Sequence, residues 1–311
     1  MTDLVKAWAP ASVSNLGPGF DALGIALSSW GDEISVRLMY EESTRSLIYD
    51  PEGVWTGTDV LKENTAGVAA LEVAAIGEYE GGFELTIKKG VRAGSGVGSS
   101  AASAVAAAVA MNAALGAHLS KVELIPAVLK GEAIVSGVEH GDNVMPALLG
   151  GIVLMRSESP SEFSTLPPPQ GMRLVIVLPE VEVLTKTART LLPDSVTLHE
   201  AVDHAARLSL LVDALHRNDV ARVGELIMSD DIVEPCRAVL VKPYELLKRA
   251  ALDAGAAGCA LSGSGPAMFA ITTSASSAEQ IEKAFQSVCD ASSIRCITTI
   301  DQVNQEGARI I

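Results

Sequence analysis

Four cysteines in 311 residues, Cys236, Cys259, Cys289 and Cys296, include no C-x-x-C pair and no regular framework. They offer neither a zinc site nor a disulfide scaffold, and reduced thiols are expected. Positive charge is also scarce: 23 Lys and Arg stand against 38 Asp and Glu, a formal net charge of -15. No basic patch offsets that balance, so neither nucleic acid nor an anionic membrane surface is an expected partner. The opening MTDLVKAWAP lacks the basic and apolar regions of a signal peptide, and the one long apolar run, Ala101 to Leu115, is too short to span a bilayer. A cytoplasmic protein is the expectation. His199-Glu200 is followed by His204, one residue too late for H-E-x-x-H, so the helix there carries no zinc pair.

What the chain does have is apolar bulk, 48% hydrophobic residues over a length that favours two domains. Its most informative stretch is VRAGSGVGSSAASAVAAAVAMNAALG, Val91 to Gly116, where a glycine-rich loop runs into an alanine-rich helix. Gly94, Gly96 and Gly98 let successive N–H groups turn toward one point, and Ser99 and Ser100 offer an N-cap and hydroxyls. The open N–H groups and positive end of the helix suit a phosphate. A plain glycine-rich turn capping a buried helix has the same spelling. Two familiar phosphate loops are excluded: no lysine lies between Gly90 and Lys121, where a Walker loop needs one, and Ser99 stands where a dinucleotide fingerprint needs its third glycine.

Around this stretch, Leu4 to Pro10, Ile34 to Tyr40 and Phe83 to Lys89 read as strands, and Asn64 to Gly77 as a helix. Gly17, Pro18 and Gly19 demand a tight turn between Asn15 and Asp21. Ser120 and Glu123 have capping-box spacing for a helix to about Ser136, with Pro126 inside it. On that helix Glu132 sits among apolar neighbours, and spacing leans toward the surface. A second polar loop, Gly137 to Gly151, carries His140, Asp142 and Asn143 ahead of a strand at Ile152 to Met155. Ser157 to Gly171, with Pro167-Pro168-Pro169, is the candidate domain boundary. Beyond it, strands at Arg173 to Leu178, Ala267 to Thr272 and Ile294 to Ile300 alternate with helices at Leu198 to Asn218, Lys242 to Ala254 and Ser277 to Cys289, an α+β pattern. A third glycine turn, Leu261 to Pro266, is either a hairpin or a loop closing over the first.

SNLGPGFDALGIAL, GSGVGSSAAS and CALSGSGPAMFAI, in this order, resemble the three motifs of the GHMP kinase superfamily. N-L-G-P-G-F-D and the later H-x-D-N-V-x-P-A-L-L-G-G are similar to the homoserine kinase family within it. The resemblance covers Ala9 to about Ile271. It implies an α+β, two-domain GHMP kinase fold: residues 1–157 as an ATP-binding N-terminal domain related to ribosomal protein S5 domain 2, and 158–311 as a ferredoxin-like C-terminal domain. It implies transfer of the ATP γ-phosphoryl group to the hydroxyl of L-homoserine, a step in threonine biosynthesis, and a homodimer. On the matching positions, the substrate residues are Asn15 and Asp21, with Asp21 holding the ammonium, then His140, Asn143, Arg189 and Arg237. ATP falls to Asn64 and to the loop Gly94, Ser95, Gly96, Val97, Gly98, Ser99, Ser100, Ala101 and Ala102, with Ser100 and Glu132 toward Mg²⁺. Asn15, Asp21, Ser100 and Glu132 are the expected catalytic set. Ser14 stands where alanine is common in the family. A mevalonate- or shikimate-type kinase of the same superfamily, or a non-catalytic ligand sensor on the same fold, are the alternatives; retention of Ser100 and Glu132 favours an enzyme.

Overall fold

The computed structural model describes residues 4–311 apart from 41–42, 55–56, 138–139, 182 and 184. Val138 and Glu139 of the second polar loop therefore lie outside the described residues. In chain order the first half comprises β1 (Val5–Ser14), β2 (Leu23–Met39), β3 (Arg45–Tyr49), α1 (Thr65–Ile76), β4 (Gly82–Lys88), α2 (Ser99–Leu115), α3 (Lys121–Ser136), α4 (Val144–Leu149), β5 (Ile152–Arg156) and β6 (Ser159–Leu166). The second half comprises β7 (Arg173–Pro179), α5 (Thr185–Arg189), α6 (Leu198–His216), α7 (Val220–Ile227), α8 (Glu234–Ala238), α9 (Tyr244–Asp253), β8 (Gly258–Leu261), β9 (Met268–Thr272), α10 (Ala275–Ala291), β10 (Cys296–Asp301) and β11 (Arg309–Ile310).

The first sheet runs β11-β1-β2-β4-β3, and β2 is long enough to pair β4 at one end and β5 at the other. All these pairs are antiparallel except β3 with β4. β6 pairs β5 through Ile152 opposite Leu166. The first sheet thus continues past the expected break at 157/158, and the passage to the second sheet falls at Pro167–Pro169. The reason is local: Ser161, Glu162, Ser164 and Thr165 are exposed on an edge strand, so this strand shows none of the apolar alternation that marks the others. The second sheet has the order β10-β7-β9-β8, all antiparallel, which is the 4-1-3-2 arrangement of a ferredoxin-like fold.

Against the first sheet, packing is decided by side-chain size. From Ala101 to Met111, α2 is buried on almost every side, a run built from alanine, valine and serine. Small side chains let α1, α3 and the first sheet approach the rod closely, and enlarging one of them, Ala107→Leu for example, would overpack the core by about 1–3 kcal/mol. A second apolar cluster joins Ala11, Val13 and Leu23 of the first sheet to Leu174, Ile176 and Phe269 of the second. Each large side chain buried there contributes about 1.5–3 kcal/mol. That shared core fixes the start of α2 against the turn between β8 and β9.

Candidate active site

At the start of α2, Gly98 is the N-cap, with φ +66°, and makes no side-chain capping bond. The expected serine cap is absent because both hydroxyls are engaged elsewhere. Ser99 Oγ donates to the Val91 carbonyl at 2.9 Å, and Ser100 Oγ donates to Glu132 Oε1 at 3.0 Å. A Cβ on Gly98 would meet Ser12 Oγ at 2.2 Å, and one on Gly96, φ +80°, would meet the Gly265 carbonyl at 2.6 Å. Only glycine fits there.

The third glycine turn answers both readings left open above. It joins β8 to β9 as a hairpin, and it also closes on the phosphate loop. Ser262 Oγ donates to Gly96 O at 2.6 Å, Ala267 N to Ser95 O at 3.1 Å and Gly263 N to Ser14 O at 3.1 Å. The Gly263 carbonyl accepts from Asn15 Nδ2 at 3.1 Å and from Arg237 Nη1 at 2.9 Å.

A cleft of about 320 Å³ lies between these loops. Of the nucleotide set, Asn64, Gly94, Ser95, Gly96, Gly98, Ser99 and Ser100 line it. Val97, Ala101 and Ala102 do not: all three are fully buried, and the Ala102 N–H is already bonded to Gly98 O within the helix. Asn64 lines the cleft with every polar group occupied. Its Oδ1 accepts from Ala66 N and Gly67 N as the cap of α1, and its Nδ2 donates to Tyr49 Oη at 2.8 Å and Thr58 O at 2.9 Å.

Glu132 faces inward, against the surface lean of its helical spacing. It is 8% exposed, and burial pushes its carboxyl up to about 8, opposed by the Ser100 hydroxyl. A hydroxyl and a carboxylate 3.0 Å apart on one wall are hard oxygen donors, and a buried carboxylate this costly to ionise is the kind a cation relieves. Among the described residues no group of three or more His, Cys, Asp or Glu could hold a metal, so phosphate oxygens would complete any shell.

All six residues expected to bind the substrate, Asn15, Asp21, His140, Asn143, Arg189 and Arg237, also line the cleft. Asn15, Leu16 and Asp21 have positive φ, 75°, 51° and 54°, a strained cluster in one short loop. Asp21 is expected to hold a ligand ammonium and Arg189 to contact the substrate, yet here they hold each other: Arg189 Nη2 is 3.0 and 2.9 Å from the two Asp21 oxygens. Asn143 Nδ2 donates to Ser14 Oγ at 3.1 Å, and its Oδ1 accepts from Ser12 Oγ at 2.9 Å. His140 Nδ1 is 3.8 Å from Asp21, and burial holds the imidazole below its ordinary pKa, so it is neutral at pH 7.

Three residues of this region were given no site role by the sequence reading, although Asp142 was seen in the second polar loop. Lys89 lies under the helix start, ion-paired to Asp32 at 2.5 Å and donating to Ser99 O, Ser99 Oγ and Ser103 Oγ at 2.7–2.9 Å. It precedes the glycine run, whereas a Walker lysine follows it. Phe20 lies beneath two cations, Arg189 at 5.4 Å and Arg237 at 5.0 Å from its centroid. Its position between Gly19 and Asp21 was the available signal. Asp142 lines the cleft at 5% exposure, beside the Asn143 that the motif drew attention to.

A glycine phosphate loop on a buried helix, with a ferredoxin-like half closing over it, defines the GHMP class of small-molecule kinase. Residues 64–151 match the family described as GHMP kinases N terminal domain, and 211–291 that described as GHMP kinases C terminal. The chain is 38% identical over 316 residues to the homoserine kinase of Arabidopsis thaliana, covering 99% of this chain and 84% of that protein. It is 38% identical over 266 residues to that of Pyrococcus abyssi, covering 86% and 87%. The crystal structure of homoserine kinase from Cytophaga hutchinsonii superposes with a TM-score of 0.93 at 39% identity, covering 100% and 98% of the two chains. This chain belongs to the homoserine kinase family. A mevalonate kinase from L. major, TM-score 0.74 at 18% identity, shares the fold.

Proposed function

We propose that this enzyme transfers the γ-phosphoryl group of ATP to the hydroxyl of L-homoserine, giving O-phospho-L-homoserine for threonine biosynthesis. The observation that carries the reading is one cleft lined both by a glycine-rich helix start and by opposed carboxylates and guanidiniums. The first suits a triphosphate, the second an amino-acid zwitterion. Identity of 38–39% to homoserine kinases over nearly the whole chain supports the same acceptor.

In this reading the N–H groups between Gly94 and Ser100 and the positive end of α2 hold the phosphates, and Ser100 and Glu132 hold Mg²⁺. Bound Mg²⁺ neutralises charge on the transferred group. Asn15 and Asn143 brace the acceptor loop, and Asp21, His140, Arg189 and Arg237 bound the acceptor. Asp21 is tied to Arg189, and phosphoryl transfer of this kind needs no strong base, so no dedicated base is assigned; the hydroxyl proton passes to phosphate or solvent during transfer. Phosphoryl transfer needs placement and charge neutralisation above all. The contact between Ser100 and Glu132 retains the machinery a ligand sensor would not need. ADP release with Mg-ATP and homoserine, mevalonate or shikimate as acceptor tests the proposal, and turnover of mevalonate or shikimate in place of homoserine refutes it. A homodimer is proposed from the family resemblance, with sedimentation equilibrium as its check.

A further inference from the structure

Behind the hairpin Ser262–Gly265 lies a buried carboxylate with no part in the transfer itself. Glu234, 6% exposed, opens α8 and stands outside the cleft. Its Oε1 accepts from Lys248 Nζ at 2.8 Å and from the Tyr244 hydroxyl, and Lys248 also donates to Tyr244 Oη at 2.8 Å. Burial first, and then the Glu234 charge, push the Tyr244 phenol above its ordinary pKa, so it stays a donor. The other oxygen, Oε2, accepts from Leu261 N at 3.1 Å.

β8 is an edge strand, paired to β9 on one side alone, and Leu261 is its last residue, with its N–H turned away from β9 toward Glu234. One residue on, Ser262 Oγ donates to Gly96 O of the glycine loop at 2.6 Å. α8 thus grips the hairpin arm at two points, Glu234 on the Leu261 N–H and Arg237 on the Gly263 carbonyl. Asp230 holds the start of α8, accepting from Ile232 N, Val233 N and Glu234 N at 2.8–3.0 Å. Well-packed apolar residues would fold such a core as stably as a buried ion pair does. What a carboxylate adds is an acceptor fixed by two other donors, and hence a fixed place for the strand end it holds.

We propose that Glu234 is a positioning residue for the nucleotide: by holding the Leu261 N–H it sets where Ser262 meets Gly96, and through that contact the geometry of the loop Gly94–Ser100. The assignment rests on the reading of that loop as the ATP site and adds to it a residue that touches neither substrate.

Calorimetric titration of the full chain with Mg²⁺ and a non-hydrolysable ATP analogue addresses the ATP reading first; absence of binding removes that reading and this assignment with it. Given binding, Glu234→Leu, which leaves Leu261 N without its acceptor, is expected to weaken the analogue roughly 3- to 30-fold at a temperature where the variant is fully folded by circular dichroism. Glu234→Gln keeps an amide oxygen for Leu261 N and should restore most of that affinity. Phe285→Leu, a truncation in the core beneath α9 and α10, should lower the Tm and leave affinity unchanged. Unchanged affinity in Glu234→Leu overturns the proposal, as does an equal loss in Glu234→Gln, or an equal loss in Phe285→Leu at a similar fall in Tm. Should Glu234→Leu not fold, the wild-type protein decides, because coupling is reciprocal: a ligand whose affinity depends on the Leu261–Glu234 bond must itself strengthen that bond. Exchange of the Leu261 amide hydrogen, read by NMR, is expected to slow several-fold when the analogue binds, and an unchanged rate overturns the assignment.

Discussion

Asp142→Asn should make the ligand-free protein more stable. Asp142 is 5% exposed, and burial, with the charge of Asp21 second, lifts its carboxyl from the ordinary 3.8 to about 6. Because the folded-state value lies above the unfolded one, the folded chain holds this proton more tightly. Its ionised form burdens folding above pH 6, a burden relieved as pH falls through 6 toward 4. The separation corresponds to a ceiling of about 3 kcal/mol at pH 8. Asparagine keeps an oxygen for Asn143 and Ser14 and removes the charge. A gain of roughly 1–3 kcal/mol at pH 8 follows, worth about 2–6 °C in Tm for a chain of this size. Scanning calorimetry at pH 8, 7, 6 and 5.5 should show the advantage shrinking toward the acid end. A variant less stable than wild type at pH 8, or a difference that does not change with pH, would refute the charge account.

Phe20→Ala removes the ring beneath both guanidiniums and should raise the homoserine KM about 5- to 30-fold at unchanged KM for ATP, read by steady-state kinetics. In Glu132→Gln the carboxylate beside Ser100 is gone; kcat should fall roughly 10²- to 10³-fold and half-saturation should need more Mg²⁺, and wild-type activity should vanish with EDTA. Gly98→Ala places a Cβ 2.2 Å from Ser12 Oγ at a positive φ. It should cost about 1–3 kcal/mol in denaturant unfolding and raise the KM of both substrates, because Ser12 also holds Asn143.

Periodicity and punctuation located the elements that obey them: the α1, α3 and α6 starts carry the caps their sequences spell, Asn64, Ser120 and Thr197. Elements without such signals escaped, among them β6, an exposed edge strand, and the five-residue α8 that presents Arg237. The site was legible as three loops, because glycines that must adopt positive φ are visible in one-letter code. Its pairings were not. That Asp21 meets Arg189 across 168 positions depends on how the two halves pack together, and that Glu132 turns inward to Ser100 depends on how α3 packs on α2, neither of which a local pattern encodes. Lys89 shows the same limit from the other side: its isolation from the glycine run in sequence hid a four-partner contact in space.

The hairpin Ser262–Gly265 ties the glycine loop proposed to receive phosphate and the Ser14–Asn15 loop proposed to receive the acceptor to the same four residues of the far half. Neither substrate's pocket can therefore be grafted, shortened or diversified by itself. A lineage altering that hairpin would change donor and acceptor recognition together, so new acceptor specificities are expected to arise from residues such as Asp142 and Phe20, which lie off the shared tether.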